Sequence, residues 1–276
     1  MNGFDIMLRQ NRIHGFSAGS GDPLLLCFHG FGETCNSFDC LSPLEGETFT
    51  LVAVDLPGHG ETVWKEPRFT PDDLGDLIGL ILERFGKKQA HLLGNSLGAR
   101  FALCAEEKVP GLVGSLVLLA PDGLRDHFWY RLATATAWSN RFFQFLMKYP
   151  SFLFRIIRLG RGIGFFNASV ERFFKLNMET PEKRQKVYEI WTSMMGMNPD
   201  VERVKAIMKA RGTSLLLVYG QFDRVSPVKL GESIFQGQPG FRMVILPKGH
   251  HLLSEETSGE IKRAMGFLVE KNGLAS

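Results

Sequence analysis

Short runs of apolar residues recur along the chain, each stopped by Gly, Pro, Asn or Asp: Leu24–Phe28, Leu51–Val54, His91–Leu93, Leu116–Leu119, Leu215–Val218 and Met243–Leu246. None alternates polar with apolar, so each reads as a strand buried on both faces, the signature of a parallel sheet. Between the runs, Pro71 to Phe85, Leu97 to Glu107 and Glu255 to Val269 carry apolar residues at helical spacing. The first opens with Thr70-Pro71-Asp72-Asp73, which supplies an N-cap, a proline at the first helical position and an acidic first turn. Runs alternating with helical segments predict βα units and a mainly parallel, α/β architecture. One interval breaks the alternation. Between Ala120 and Ser214 some 90 residues contain no strand-like run, which predicts a helical cap over 122–212 inserted into a core formed by 1–121 and 213–276.

Composition changes this picture in one place. At 276 residues, 44% hydrophobic and 22% charged, the chain is ordinary for a globular protein and excludes a disordered, collagen-like or highly charged coiled-coil chain. A net charge of +3 gives no field that would argue for nucleic-acid binding. Yet residues 125–175 hold 14 of the 31 aromatic residues and nine Lys and Arg, against only Asp126 and Glu171. That segment carries +7 and the remainder −4, so the small net charge conceals a polarised chain. Phe142-Phe143, Phe145, Phe152, Phe154, Phe165-Phe166 and Phe173-Phe174 recur between Arg141, Lys148, Arg155, Arg158, Arg161, Arg172 and Lys175. Core packing is the plain reading of such a stripe. The functional reading is an apolar acyl or aryl tunnel with a basic rim, suited also to peripheral contact with an anionic membrane.

Cys27, Cys35, Cys40 and Cys104 form no CxxC pair and no metal-ligand spacing, which points to free thiols in a reducing compartment, with a Cys35–Cys40 bridge as the alternative. The first sixteen residues lack the basic and apolar regions of a secretory signal, and no apolar stretch is long enough to span a membrane. The expectation is therefore a cytoplasmic chain without a transmembrane segment.

Gly94-Asn95-Ser96-Leu97-Gly98 follows a strand-like run and precedes a helical segment. This is the Gly-x-Ser-x-Gly nucleophile elbow in the context it requires. A serine hydroxyl is a weak nucleophile at neutral pH. It needs a sharp, exposed turn, and flanking glycines permit the strained backbone and close approach of substrate. Ser96 is the candidate nucleophile. His29-Gly30-Phe31-Gly32, after the first run, could aim a backbone N–H at the same edge, so the N–H groups of Phe31 and Leu97 are the candidate oxyanion hole. An acid and a base are then expected downstream in that order. Asp223 follows one strand-like run, with Asp122 in Ala120-Pro121-Asp122-Gly123 as a rival acid. His250 follows the last run, with His251 as a rival base. The base must reach the serine, and its second ring nitrogen needs a carboxylate.

The loop His29-Gly30-Phe31-Gly32, the stretch Asp55-Leu56-Pro57-Gly58-His59-Gly60, the elbow, Gly220-Gln221-Phe222-Asp223 and Gly249-His250 fall in an order that resembles the α/β-hydrolase-fold superfamily over nearly the whole chain. The resemblance selects His250, which follows a glycine and precedes Glu255 by five positions. It implies the α/β-hydrolase fold with an inserted cap, a triad of Ser96, Asp223 and His250, and no metal or organic cofactor. A serine nucleophile is unlike the family's epoxide hydrolases and haloalkane dehalogenases. Esterase-like chemistry on a small, hydrophobic substrate is the implied default. Gly94-Asn95-Ser96 resembles the elbow of carbon–carbon bond hydrolases acting on aromatic ring-cleavage products. Arg100 falls where the menaquinone-pathway synthase of the family holds substrate carboxylates, so it is a candidate substrate-binding residue, against the plainer reading of a pair with a nearby acid. A further reading from another class is a ligand receptor or scaffold that keeps the pocket without turnover.

Overall fold

The computed structural model describes residues 2–43, 49–124, 137–162 and 177–272. Two compact units emerge, one of 1–65, 70–125 and 197–276, the other of 66–69 and 126–196.

The first unit is built on one eight-stranded sheet. Its strands are β1 (Asn2–Leu8), β2 (Asn11–Ala18), β3 (Leu24–Phe28), β4 (Thr50–Val54), β5 (Ala90–Asn95), β6 (Val113–Leu119), β7 (Ser214–Gly220) and β8 (Phe241–Leu246), in the spatial order β1-β2-β4-β3-β5-β6-β7-β8. From β4 to β8 every pairing is parallel, whereas β1 and β2 are antiparallel to each other and β2 is antiparallel to β4. All six apolar runs are strands. β3, β4 and β5 are buried along their whole length, and each fully buried Leu or Val there contributes about 1.5–3 kcal/mol. β8 departs from the expectation of burial on both faces. It is the sheet's last strand, and Ile245 on it is half exposed.

The β1–β2 hairpin lies outside the predicted strands. Phe4, Ile6 and Leu8 are buried and their neighbours exposed, a period of two rather than a continuous apolar run. Its two-residue turn places Arg9 at φ 55°.

Helices α1 (Pro71–Arg84), α2 (Leu97–Lys108), α6 (Val201–Arg211), α7 (Val228–Phe235) and α8 (Glu255–Asn272) belong to this unit. α1 begins as its sequence predicts. The Thr70 hydroxyl accepts the Asp73 N–H while the Asp73 carboxylate accepts the Thr70 N–H. α6 packs on α2, so residues 197–212 cluster with the sheet.

The second unit contains α3 (Ala137–Lys148), α4 (Pro150–Gly162) and α5 (Pro181–Ser193). Phe143 of α3 stacks on Trp191 of α5 at 5.5 Å, and the Tyr188 hydroxyl donates to Asn140 Oδ1 at 2.8 Å. Phe165, Phe166, Arg172, Phe173, Phe174 and Lys175 lie outside the described residues.

Candidate active site

The site forms where β5, β7 and β8 end. Ser96 joins β5 to α2 with φ 49° and ψ −110°, a left-handed conformation that costs an L-residue about 1–3 kcal/mol. Neighbouring backbone holds it there. The Ser96 N–H donates to Leu119 O at 2.8 Å, and Ser96 O accepts the N–H groups of Ala99 and Asp122. Both elbow glycines are required by close approach. A Cβ on Gly98 would lie 1.9 Å from Phe28 O, and one on Gly94 would lie 2.5 Å from the Ala99 Cα.

Asp223 and His250 stand on turns pinned to each other. Phe222 N–H donates to Lys248 O at 2.9 Å and Gln221 N–H to Leu246 O at 2.8 Å, while a Cβ on Gly220 would meet Gly249 O at 2.0 Å. Adjacent strands are ~4.8 Å apart, so β5 and β7, separated by β6, lie about 10 Å apart, a gap that one imidazole bridges. Ser96 Oγ is 3.0 Å from His250 Nε2, and His250 Nδ1 is 2.8 Å from Asp223 Oδ2. The other oxygen, Asp223 Oδ1, accepts the N–H groups of Val225 and Ser226 at 2.7 and 3.0 Å. Burial pushes the Asp223 carboxyl up, but the His250 hydrogen bond and charge, with the two backbone N–H groups, outweigh it and hold the carboxyl below its ordinary value. The rivals stand elsewhere. His251 is exposed, its ring 6.0 Å from that of His250, and Asp122 faces Arg100.

Phe31 lies in the turn after β3, where Glu33 N–H donates to Gly30 O and Gly32 takes φ 75°. Leu97 is the first residue of α2, a position whose N–H has no acceptor within its own helix. His29 is fully buried, its Nδ1 2.8 Å from Gly30 O and its Nε2 accepting the Leu56 N–H at 3.0 Å. Burial and the neighbouring His59 push its imidazole down to about 3, so it is neutral and braces the two loops.

Arg100 is buried. Its Nε donates to Asp122 Oδ2 at 2.7 Å, Nη2 to Asp122 Oδ1 at 3.2 Å and Nη1 to Asn198 Oδ1 at 3.3 Å. Gly123, at φ 94°, makes room, since a Cβ there would lie 2.5 Å from Arg100 Cγ.

One residue of the site, Glu33, carries no distinct sequence signal. Glu33 Oε2 accepts both the Gly30 N–H at 2.8 Å and Asn95 Nδ2 at 2.9 Å, tying the turn that carries Phe31 to the residue before Ser96. The only signal was a polar residue three positions after Gly30, which any turn would also carry.

His14, Cys35 and Asp55 bring potential metal-ligating atoms within 4.8 Å of one another. Asp55 already accepts the N–H groups of Cys35 and Glu61, His14 Nδ1 is 2.9 Å from Asp5, and burial with the Asp55 charge pushes the Cys35 thiol up to about 12. That arrangement fastens the 55–62 loop rather than presenting open ligands. All four cysteines are free thiols.

A serine at a sharp strand-to-helix turn, an imidazole and a buried carboxylate stand in hydrogen-bonded series at the carboxyl edge of a parallel sheet, the arrangement expected of an α/β hydrolase. The model of the Alpha/beta hydrolase family matches residues 24–264, and the chain belongs to that family. The uncharacterized hydrolase YugF of Bacillus subtilis is 24% identical over 240 residues, covering 86% of each chain. The pimeloyl-[acyl-carrier protein] methyl ester esterase of Neisseria meningitidis is 27% identical over 239 residues, covering 81% of this chain and 84% of its own. A thermophilic esterase from Thermogutta terrifontis shares the fold with a TM-score of 0.68 at 20% identity, over 98% of this chain and 100% of that one. Among the described residues no helix is long and apolar enough to cross a membrane.

Proposed function

We propose that the protein is a serine hydrolase that cleaves a carboxylic ester or thioester carrying a hydrophobic acyl or aryl group, through an acyl-enzyme at Ser96. The observation that carries this reading is the series Ser96 Oγ–His250 Nε2–His250 Nδ1–Asp223 Oδ2, with spacings of 3.0 and 2.8 Å. His250 Nε2 takes the Ser96 proton as Oγ attacks the carbonyl carbon. Asp223 accepts the Nδ1–H bond, fixes the tautomer and stabilises the imidazolium. The Phe31 and Leu97 N–H groups receive the oxyanion of the tetrahedral intermediate. As that intermediate collapses, His250 returns the proton to the departing alcohol or thiol. Water then gives a proton to His250, attacks the acyl carbon and releases the acid, and Ser96 regains its proton. No step calls on a metal or organic cofactor.

Support for an ester comes from the esterase among the relatives with long overlap. The preference for an apolar acyl or aryl group rests on the aromatic, basic composition of 125–175. The test is hydrolysis of nitrophenyl esters from acetyl to palmitoyl, beside aryl esters and an anionic diketone, with Ser96→Ala as the blank. Turnover that rises with acyl length and vanishes in Ser96→Ala is the expected result. Serine-dependent cleavage of the diketone without ester turnover would replace this reading with a carbon–carbon bond hydrolase. Silence on every substrate from folded protein would favour a receptor.

A further inference from the structure

α3 and α4 face in two directions. Phe143, Leu146, Leu153 and Ile157 are buried, so these helices already supply a packed face. On the other side, Trp138, Phe142, Phe145, Tyr149 and Phe152 follow one another at spacings of four, three, four and three, a single stripe along α3 and onto α4. Trp138 is 76% exposed and Leu159, further along α4, 66%, while Phe145, Tyr149 and Phe152 are each more than two-fifths exposed. The stripe is continuous. Trp138 stacks on Phe142 at 6.1 Å, Phe142 on Phe145 at 6.4 Å, and Phe145 meets Tyr149 at 4.7 Å and Phe152 at 5.8 Å. Arg141, Lys148, Arg155, Arg158 and Arg161 are the charged residues of 137–162, which contains no Asp or Glu.

We propose that this stripe is a docking surface for an anionic lipid bilayer, on which α3 and α4 lie in the headgroup layer with the aromatic side chains inserted and the cations on the anionic headgroups. An exposed aromatic stripe on two helices whose own charged residues are all cations matches the chemistry of that interface. Each Lys or Arg near an anionic membrane surface raises affinity about fivefold. Single-stranded nucleic acid suits the patch less well, because it includes the exposed aliphatic Leu159, which inserts into lipid but offers a base no ring face to stack on. The proposal does not depend on the activity assigned to Ser96.

The test is co-sedimentation of the full chain with phosphatidylcholine vesicles, alone or with roughly one lipid in three replaced by phosphatidylglycerol. Binding to the anionic vesicles at low salt, at least about tenfold weaker on phosphatidylcholine alone and released by raised salt, is expected. Trp138 emission should shift to the blue on binding, and Trp138→Phe should remove that shift. W138S/F145S/F152S should lose binding by at least about tenfold without a change in thermal melting. If that variant does not fold, R155E/R158E reads the charge contribution on its own. Absence of sedimentation with anionic vesicles, equal binding to both vesicle types, or undiminished binding by the folded variants would overturn the proposal. So would capture by polyuridylate at lower protein concentration than by vesicles, or a dimer in solution that the triple substitution dissolves.

Discussion

At the carboxyl end of β6 the chain runs Ala120-Pro121-Asp122-Gly123, and at the end of the neighbouring β7 it runs Tyr219-Gly220-Gln221-Phe222-Asp223. Each turn carries a carboxylate that accepts backbone N–H, from Gly123 in one and from Val225 and Ser226 in the other. The turns even touch, since the Ser226 hydroxyl donates to Pro121 O at 2.8 Å. What separates them is the cation opposite. Asp122 meets Arg100 on α2 and forms a two-pronged ion pair with a group that never gives up its proton. Asp223 meets His250 on the turn after β8, a group able to take and return a proton. Similar local chemistry is structural in one turn and suited to catalysis in the next, because the facing element differs.

The strongest way to break the comparison is Asp223→Asn, expected to lower kcat by about ten-thousandfold with the fold intact, since an amide cannot hold the imidazole tautomer in place. Steady-state kinetics on an ester that the wild type cleaves decide it, and a loss below tenfold would remove Asp223 from the mechanism. Asp122→Asn should instead cost stability, about 3 kcal/mol, by leaving the buried Arg100 guanidinium without its counter-charge, while kcat stays within a few-fold. In a chemical-denaturation cycle, Arg100→Met combined with Asp122→Asn should recover much of that loss. The same Arg100→Met protein also sharpens the contrast. If Arg100 serves only its ion pair, KM for anionic and neutral esters should change together, whereas a selective rise for anionic esters would make it a substrate-binding residue.

A third carboxylate, Glu33, extends the comparison to a weaker case. Glu33→Ala removes the oxygen that accepts both N–H groups, so kcat should fall about ten- to hundredfold as the Phe31 turn loosens from the elbow. Unchanged kcat would show that the tie is incidental. Glu106 gives the smallest effect and the opposite sign. It is fully buried, with Oε1 accepting the Thr213 hydroxyl, and burial raises its carboxyl to about 7 despite that bond and the charge of Arg211. A raised carboxyl binds its proton more tightly in the folded state, so stability should decline as pH rises from the ordinary carboxylate range of about 4.5 through about 7. Glu106→Gln should flatten that decline and gain about 2 kcal/mol at pH ~8 relative to its effect at pH ~5. Asp223 behaves inversely. Its lowered carboxyl contributes stability above the ordinary carboxylate range, lost as the solution is acidified through its folded-state value.

The parts of the fold that were legible in the chain are those where a side chain's environment repeats locally. Buried parallel strands must be apolar on both faces, so Leu24–Phe28 or Leu215–Val218 declare themselves without any neighbour. The β1–β2 hairpin did not, because its apolar stretch is only Ile6-Met7-Leu8, separated from Phe4 by Asp5, and the exposed Met7 blurs the alternation. β8 was recognised as a strand but not as an edge, since edge position depends on which strands pair and not on the strand's own residues. The elbow was legible for a stronger reason. Ser96 in a left-handed turn and Gly98 against Phe28 O leave few other residues that fit, so the constraint is written into five consecutive positions.

By itself the sequence determined the strands of the parallel core, the start of α1 and the Gly-x-Ser-x-Gly turn between β5 and α2, because each rests on steric or hydrogen-bonding demands within a few residues. Only the tertiary structure decided which carboxylate faces His250, that Arg100 is held by Asp122 and Asn198, that Glu33 joins the Phe31 turn to Asn95, and that the aromatic stripe of α3 and α4 faces outward. The side-chain pairings among those outcomes join positions as far apart as Arg100 and Asn198, 98 residues. Partners so distant are chosen by strand order and close backbone approach, which no local stretch of sequence encodes.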